Sequence, residues 1–410
     1  GNRLVGALTA GVGEMADTEH RLAGGRVPRH AHRGVNVEAA DDRDLHGVEA
    51  SPARSPLPPG LSGLRHPISA APYTRPVKVA ALRTVDMHTG GEPVRIVVEG
   101  YPEIPGPTIL AKRRYAADNL DHLRRLLMFE PRGHADMYGV IPVTPDHPEA
   151  DLAVLFMHNE GYSTMCGHAT IAVGRWAIER GIVPMREPVT TLALQVPAGL
   201  VRVSAAVAGG RVGRVAFRSV PAFVEHSRVP VAVAGFGEIT VDVAYGGAFY
   251  AFADAADYGL EVPGSPIADL VRAAWATTGA VAAALPLSHP DDPDLNFLYG
   301  TILTDGDDEW SERPTANVCV FADRQVDRSP TGSGVTARIA NQHAAGNISL
   351  EVERSFASVV GSIFTGKAVE ETTVGHRPAV IVEVGGQSHY TGESTFTVED
   401  GDPLPAFLVR

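Results

Sequence analysis

Two short blocks set 165 residues apart constrain this chain more than any other feature of its sequence. Cys166-Gly167-His168-Ala169 opens a segment that ends at Gly181 followed by Ile182, and Thr331-Gly332-Ser333-Gly334 opens another that ends at Gly346, with Ile348 close behind. Ala172 and Ala337 keep the same offset. Each block follows a strand-like stretch and a polar loop. Each leads into helical spacing closed by a glycine, the residue that most easily takes the backbone conformation of a helix stop. The pattern predicts two similar lobes, each aiming one helix N-terminus at a shared site.

The rest of the chain reads as short strands with a few helices between them. Val77-Lys78-Val79-Ala80 and Val94 to Val98 read as strands, the second set off by a His88-Thr89-Gly90-Gly91 turn. Leu120, Leu123, Leu126 and Leu127 give helical spacing to Asp118–Phe129, and Ala153 to His158 reads as another strand. Strands dominate again at 192–224, 229–243 and 379–384. The fold class is therefore α+β. Residues 1–76 have no sustained apolar face and seven prolines between Ser51 and Pro76, so they cannot bury enough surface to offset their ordering entropy. They read as a disordered extension, with Met15 an alternative start. The expected division is a first lobe over 77–226 carrying the Cys166 helix, with the strand near 403–410 a candidate to rejoin it. The second lobe, over 227–402, carries the Thr331 helix.

Composition removes several classes of function. Forty-eight acidic against thirty-five basic residues leave a formal charge of -13, the wrong sign for binding nucleic acid through its phosphates. No apolar run approaches the roughly 20 residues that cross a bilayer. The stretch from Leu4 to Gly13 is too interrupted by glycine for a secretory signal. A cytoplasmic protein without membrane or nucleic-acid partners is expected. Two cysteines, Cys166 and Cys319, exclude a disulfide framework. Lys78, Lys112 and Lys367 are the only lysines, none in a motif, which leaves little for Schiff-base chemistry. Five of the sixteen histidines (His20, His30, His32, His46, His66) fall in the extension, and no metal-ligand spacing occurs, so no metal site is expected.

Chemistry concentrates at the helix starts. A thiol at Cys166 would feel the positive end of the helix dipole and free backbone amides, which predicts a pKa below the ordinary value of about 8.5. His168 is placed to add a hydrogen bond; the competing reading is a small buried hydrophobe. Cys319, within Asn317-Val318-Cys319-Val320-Phe321, reads as inert strand core. Thr331 alone would be an ordinary N-cap. Asp327 reads either as an ion-pair partner of Arg328 or as a loop residue. Gly332-Ser333-Gly334 would let backbone approach an anion closely.

Three blocks together carry a resemblance. Asp86-Met87-His88-Thr89-Gly90-Gly91-Glu92-Pro93, then Asn159 through His168, then Asp327-Arg328-Ser329-Pro330-Thr331-Gly332-Ser333-Gly334 resemble, in order, the motifs of the proline racemase family. The likeness runs from about Val79 to the C-terminus. It implies a diaminopimelate-epimerase-like fold of two lobes, each a strand-rich half-barrel around a central helix, with a cofactor-independent site between them. By motif position, Gly167, His168, Gly332 and Ser333 would bind a substrate carboxylate and Asp327 a ring nitrogen. A homodimer is allowed by the family. Its racemases have cysteine at both helix starts, whereas this chain has Thr331 at the second. Racemisation needs a proton acid or base on each face of the substrate carbon, and a threonine hydroxyl is a poor one. The Cys166/Thr331 pair therefore resembles the dehydratase branch acting on trans-3-hydroxy-L-proline, with Cys166 as base. The alternatives are a proline racemase or 4-hydroxyproline 2-epimerase, and a non-catalytic pyrrolidine-carboxylate binding protein.

Overall fold

The computed structural model describes residues 81–409. The expected extension over 1–76 and the expected strand at Val77–Ala80 lie outside the described residues.

The first half of the fold contains β1 (Leu82–Thr89), β2 (Glu92–Glu99), α1 (Ile109–Asn119), α2 (Asp121–Met128), β3 (Tyr138–Val143), β4 (Leu152–His158), β5 (Gly161–Ser163), α3 (Gly167–Glu179), β6 (Val189–Val196), β7 (Gly199–Ala208) and β8 (Arg211–Arg218). The second contains β9 (Phe223–Val233), β10 (Gly237–Tyr245), β11 (Phe249–Asp254), α4 (Ile267–Ala284), β12 (Leu298–Thr304), β13 (Thr315–Phe321), β14 (Gln325–Asp327), α5 (Gly332–Ala344), β15 (Arg354–Ala357), β16 (Ile363–Val374) and β17 (Arg377–Gly386). A last strand, β18 (Ser388–Phe396), returns to the first half and pairs with β1.

Strand pairing shows that the two halves share one plan. The first is ordered β18-β1-β2-β3-β4-β6-β7-β8, with β2/β3 and β4/β6 parallel and the other neighbours antiparallel. The second is ordered β9-β10-β11-β12-β13-β15-β16-β17, with β11/β12 and β13/β15 parallel. β5 hangs on β4 as β14 hangs on β13. In both halves the parallel pairs are those with helices between them, since a parallel connection needs a long crossover. β8 and β17 pair antiparallel and join the two sheets.

The central helices follow from composition. Of α3, only Arg175 and Glu179 escape burial, and Gly167, Ala169, Ala172 and Gly174 keep its surface thin. A methyl group at Gly174 would lie 2.8 Å from Val203 Cγ1, so the glycine is what lets the helix sit against β7. α5 is buried nearly all round as well. β4 and β13 are buried at every position, as continuous apolar strands covered on both faces should be.

The structure corrects three expectations. The helical spacing over Asp118–Phe129 is split at Leu120, with α1 ending before it and α2 beginning after it. The lobe boundary at 226/227 falls inside β9, and residues 388–396, expected in the second lobe, complete the first sheet beside β1. The segment beyond β18 also docks on the first half, where the Phe407 amide donates to the Glu130 carbonyl. Asp327 is neither a loop residue nor the partner of Arg328; it ends β14, and Arg328 pairs with Glu92 and Asp136. Among the described residues, no helix is long and apolar enough to cross a membrane.

Candidate active site

The shared plan brings α3 and α5 together end to end. A methyl group at Gly332 would lie 2.6 Å from Gly167 Cα and 3.1 Å from its carbonyl carbon, so the two N-termini touch through backbone. The first amides of a helix have no carbonyl of their own helix to bond. Neither Cys166 nor Thr331 caps its helix with its side chain. Two sets of free N–H groups and two dipole ends thus face one small space, a geometry suited to an anion. Of the residues expected here, Cys166, Gly167, His168, Asp327, Thr331, Gly332 and Ser333 are all brought together, and all are buried.

The two helix starts are not equivalent. Cys166 has ordinary extended backbone (φ -150°, ψ 111°). Thr331 has φ 64° and ψ 92°, a left-handed conformation that a β-branched residue rarely adopts. Its amide donates to Ser329 Oγ (3.1 Å) and its carbonyl accepts from Val335 (2.7 Å), which hold it there. Thr331 Oγ1 is buried without an oxygen or nitrogen partner, and the Cys319 thiol lies beside it. Cys319 is strand core, as expected, yet it adjoins the site.

Cys166 Sγ lies 3.1 Å from His168 Nδ1. One ring nitrogen of His168 donates to the Pro93 carbonyl, so in the neutral ring the other carries a lone pair. Asp327 Oδ2 is 3.9 Å from His168 Nδ1, and its Oδ1 accepts from the Ser329 amide at 2.8 Å. Burial holds the His168 pKa below its ordinary value, opposed by Asp327 and by the Pro93 bond.

The depressed thiol pKa expected at Cys166 is not what the structure gives. Burial pushes it well above the ordinary value, outweighing the opposing pull of the Ala169 amide and of the Tyr138 hydroxyl, while Asp327 and Glu92 push it further up. The helix dipole is real, but a fully desolvated sulfur facing two carboxyl groups loses more than the neighbouring N–H and O–H groups return.

Sequence reasoning passed over Glu92 and Tyr138. Glu92 is fully buried; its Oε2 accepts from the Arg328 amide at 2.7 Å, and its Oε1 has no partner. Burial, then Asp327, raise its carboxyl well above the ordinary range. Its place in the first motif was the available signal. Tyr138 had none, because it opens an ordinary apolar strand. Asn159, from the second motif, serves structure: it bonds the Met137 amide, the Met128 carbonyl and Gln325 of β14, tying the two halves together beside the site. Among the described residues no cluster of metal-ligating side chains occurs. A cleft of about 550 Å³, lined in part by His88, Pro93, Met137 and Arg328, opens next to this centre.

The sequence profile of the family described as proline racemase matches residues 84–408. A trans-L-3-hydroxyproline dehydratase of Xenopus tropicalis is 57% identical over 332 residues, covering 80% of this chain and 95% of that protein. A trans-3-hydroxy-L-proline dehydratase of Homo sapiens is 57% identical over 335 residues, with the same coverage of 80% and 95%. Among solved structures, a hydroxyproline epimerase from Agrobacterium vitis with bound trans-4-hydroxy-L-proline superimposes with a TM-score of 0.75 at 28% identity, covering 82% of this chain and 97% of that one.

Proposed function

The chain belongs to the proline racemase family, and from that premise we propose that it is a cofactor-independent hydro-lyase converting trans-3-hydroxy-L-proline to 1-pyrroline-2-carboxylate and water. The observation that carries the reading is the asymmetry of the two helix starts: a thiol at Cys166 and a hydroxyl at Thr331. Its relatives named as dehydratases of this substrate support the choice of hydroxyproline. The bound hydroxyproline of the epimerase structure supports a cyclic amino acid as the ligand of such a site.

In this mechanism the substrate carboxylate sits between the helix ends, bonded by the amides of Gly167, His168, Gly332 and Ser333. Those amides also stabilise the negative charge that develops beside it when the α-proton leaves. Asp327 receives the ring nitrogen. Cys166 rests as a thiol and becomes the base by passing its proton to His168 Nδ1, 3.1 Å away, where Asp327 faces the new imidazolium. In trans-3-hydroxy-L-proline the α-hydrogen and the hydroxyl share a ring face. One sulfur on that face can therefore take the proton while the hydroxyl departs from the neighbouring carbon, and the enamine tautomerises to the product. Thr331 closes the opposite face and returns no proton. Two free thiols and no disulfide suit a reducing, cytoplasmic setting.

The test is incubation of trans-3-hydroxy-L-proline with the purified protein in deuterated water, without added cofactor, followed by mass spectrometry and proton NMR. Loss of water with 1-pyrroline-2-carboxylate as product is expected, and Cys166→Ser should abolish nearly all turnover while retaining substrate binding. Inversion of the α-carbon without loss of water would replace this reading with an epimerase. No reaction with this substrate, proline or 4-hydroxyproline would leave a binding protein.

A further inference from the structure

On the dehydratase reading above, the hydroxyl leaves from the face that Cys166 occupies, so the group that protonates it must stand on that face. Thr331 and the Tyr250–Ser333 pair (hydroxyl oxygens 2.7 Å apart) belong to the α5 side. Beside Cys166 the structure gathers three buried hydroxyls. Tyr138, the first residue of β3, reaches the Cys166 sulfur with its hydroxyl and is also bonded to Ser163 Oγ. Tyr299, from β12 of the other half, brings its hydroxyl beside both Tyr138 and Ser163. The Tyr138 ring is fixed edge-on to His168 at 4.8 Å and stacked on His158 at 5.9 Å, so its hydroxyl has little freedom to turn away.

We infer that Tyr138 is the catalytic acid of the elimination, relaying to the departing oxygen the proton that Cys166 removes, with Ser163 and Tyr299 as positioning residues. The step balances. The Cα–H bond breaks and an S–H bond forms at Cys166; the released electron pair makes the Cα=Cβ bond as the Cβ–O bond breaks. Tyr138 gives its proton to the leaving oxygen and takes the sulfur's in exchange. Water leaves carrying the equivalent of the α-hydrogen, and the thiolate and phenol are restored. A phenol suits this task because its own ionisation is opposed: burial, and next the neighbouring Cys166, hold its pKa well above the ordinary value of 10, so it returns to the protonated form.

Tyr138→Phe tests this directly, with Ser163→Ala as a second variant that leaves the tyrosine in place. Each full-length protein is given trans-3-hydroxy-L-proline in deuterated water, and both product and α-deuterium in recovered substrate are measured. Tyr138→Phe should slow elimination about 100-fold, the scale of one lost general acid. Cys166 still removes the α-proton, so the ratio of exchange to elimination should rise at least about tenfold. Ser163→Ala should shift the ratio the same way, by less. Affinity for L-proline, which has no hydroxyl to protonate, should stay unchanged in both. Elimination and exchange falling together, or elimination within threefold of the unaltered protein, would overturn the role of Tyr138. Failure of the unaltered protein to release water would instead overturn the dehydratase reading, and this inference with it.

Discussion

Placing a methyl group between the two helix ends separates the carboxylate cradle from the rest of the fold. Gly332 is the first residue of α5 and its φ is not positive, so Gly332→Ala meets no conformational penalty, and helix propensity alone would favour alanine by up to about 1 kcal/mol. The new Cβ would nevertheless lie 2.6 Å from Gly167 Cα and 3.1 Å from Gly167 C. Carbon atoms prefer about 3.5–4.0 Å, so the helix ends must part by about 1 Å. Overpacking of this kind costs about 1–3 kcal/mol; set against about 1 kcal/mol of helix propensity, this leaves a net loss of about 0–2 kcal/mol and a fall in Tm of no more than a few degrees. The effect on turnover should be far larger. The four amides would no longer converge on one anion, and a displacement of about 1 Å lowers rate about 100-fold. Product formation from trans-3-hydroxy-L-proline and a thermal melt on the same preparation read both quantities. Gly392→Ala is the control, because nothing lies within 4 Å of the added methyl group there. A Gly332→Ala protein within threefold of the parent in kcat/KM would refute the claim that the helix contact sets the site.

Three further outcomes follow from the asymmetry and burial of the site. Thr331→Cys should acquire inversion at the α-carbon, read by chiral chromatography of substrate recovered from deuterated water, because each ring face then has a thiol; a folded variant that inverts nothing would contradict the placement of Thr331. Alkylation of Cys166 by iodoacetamide in the substrate-free protein should be slow at neutral pH and accelerate only in strongly alkaline solution, since burial raises the thiol well above its ordinary value; fast labelling at pH 7 would show a thiolate instead. Glu92→Gln should be more stable than the parent, by a margin that grows with pH. Folding raises the Glu92 carboxyl above its ordinary 4.5, so the unfolded chain binds fewer protons between that value and the folded one, and the parent loses stability as pH rises through this window. Urea unfolding of both proteins at pH 4.5 and 7.5 measures the difference, and a margin independent of pH would mean that Glu92 is not raised.

How much of this was legible in the sequence depends on the kind of information. The paired helix starts were readable because glycine and the residue before it mark a helix end by local chemistry, and α3 and α5 begin and end where the two blocks predicted. The residues gathered at the site were readable because they sit in contiguous motifs. The Cys166 pKa was not, since its sign depends on carboxyl groups and burial contributed by distant segments. Nor was the role of Tyr138, whose neighbours Ser163 and Tyr299 come from β5 and β12. The break at Leu120 was hidden because leucine spacing runs across it. The return of β18 leaves no local mark, as strand partners are chosen across the sheet rather than along the chain.

That return sets an order on assembly. The second half has its outer strand, β9, at its beginning, whereas the first half receives the equivalent strand, β18, from the far end of the chain, with Met87 meeting Tyr390 and His88 meeting His389. As the polypeptide emerges from the ribosome, the half that carries Cys166 stays one strand short until the half that carries Thr331 has been made. Throughout that interval β1 presents a bare edge of N–H and C=O groups, a template for pairing with another nascent chain. Shortening the chain after Gly386 would leave the second half its full set of strands and the first half permanently in that exposed state. β18 is therefore a guard against misassembly of β1, besides lending Thr391 to the cleft beside the site.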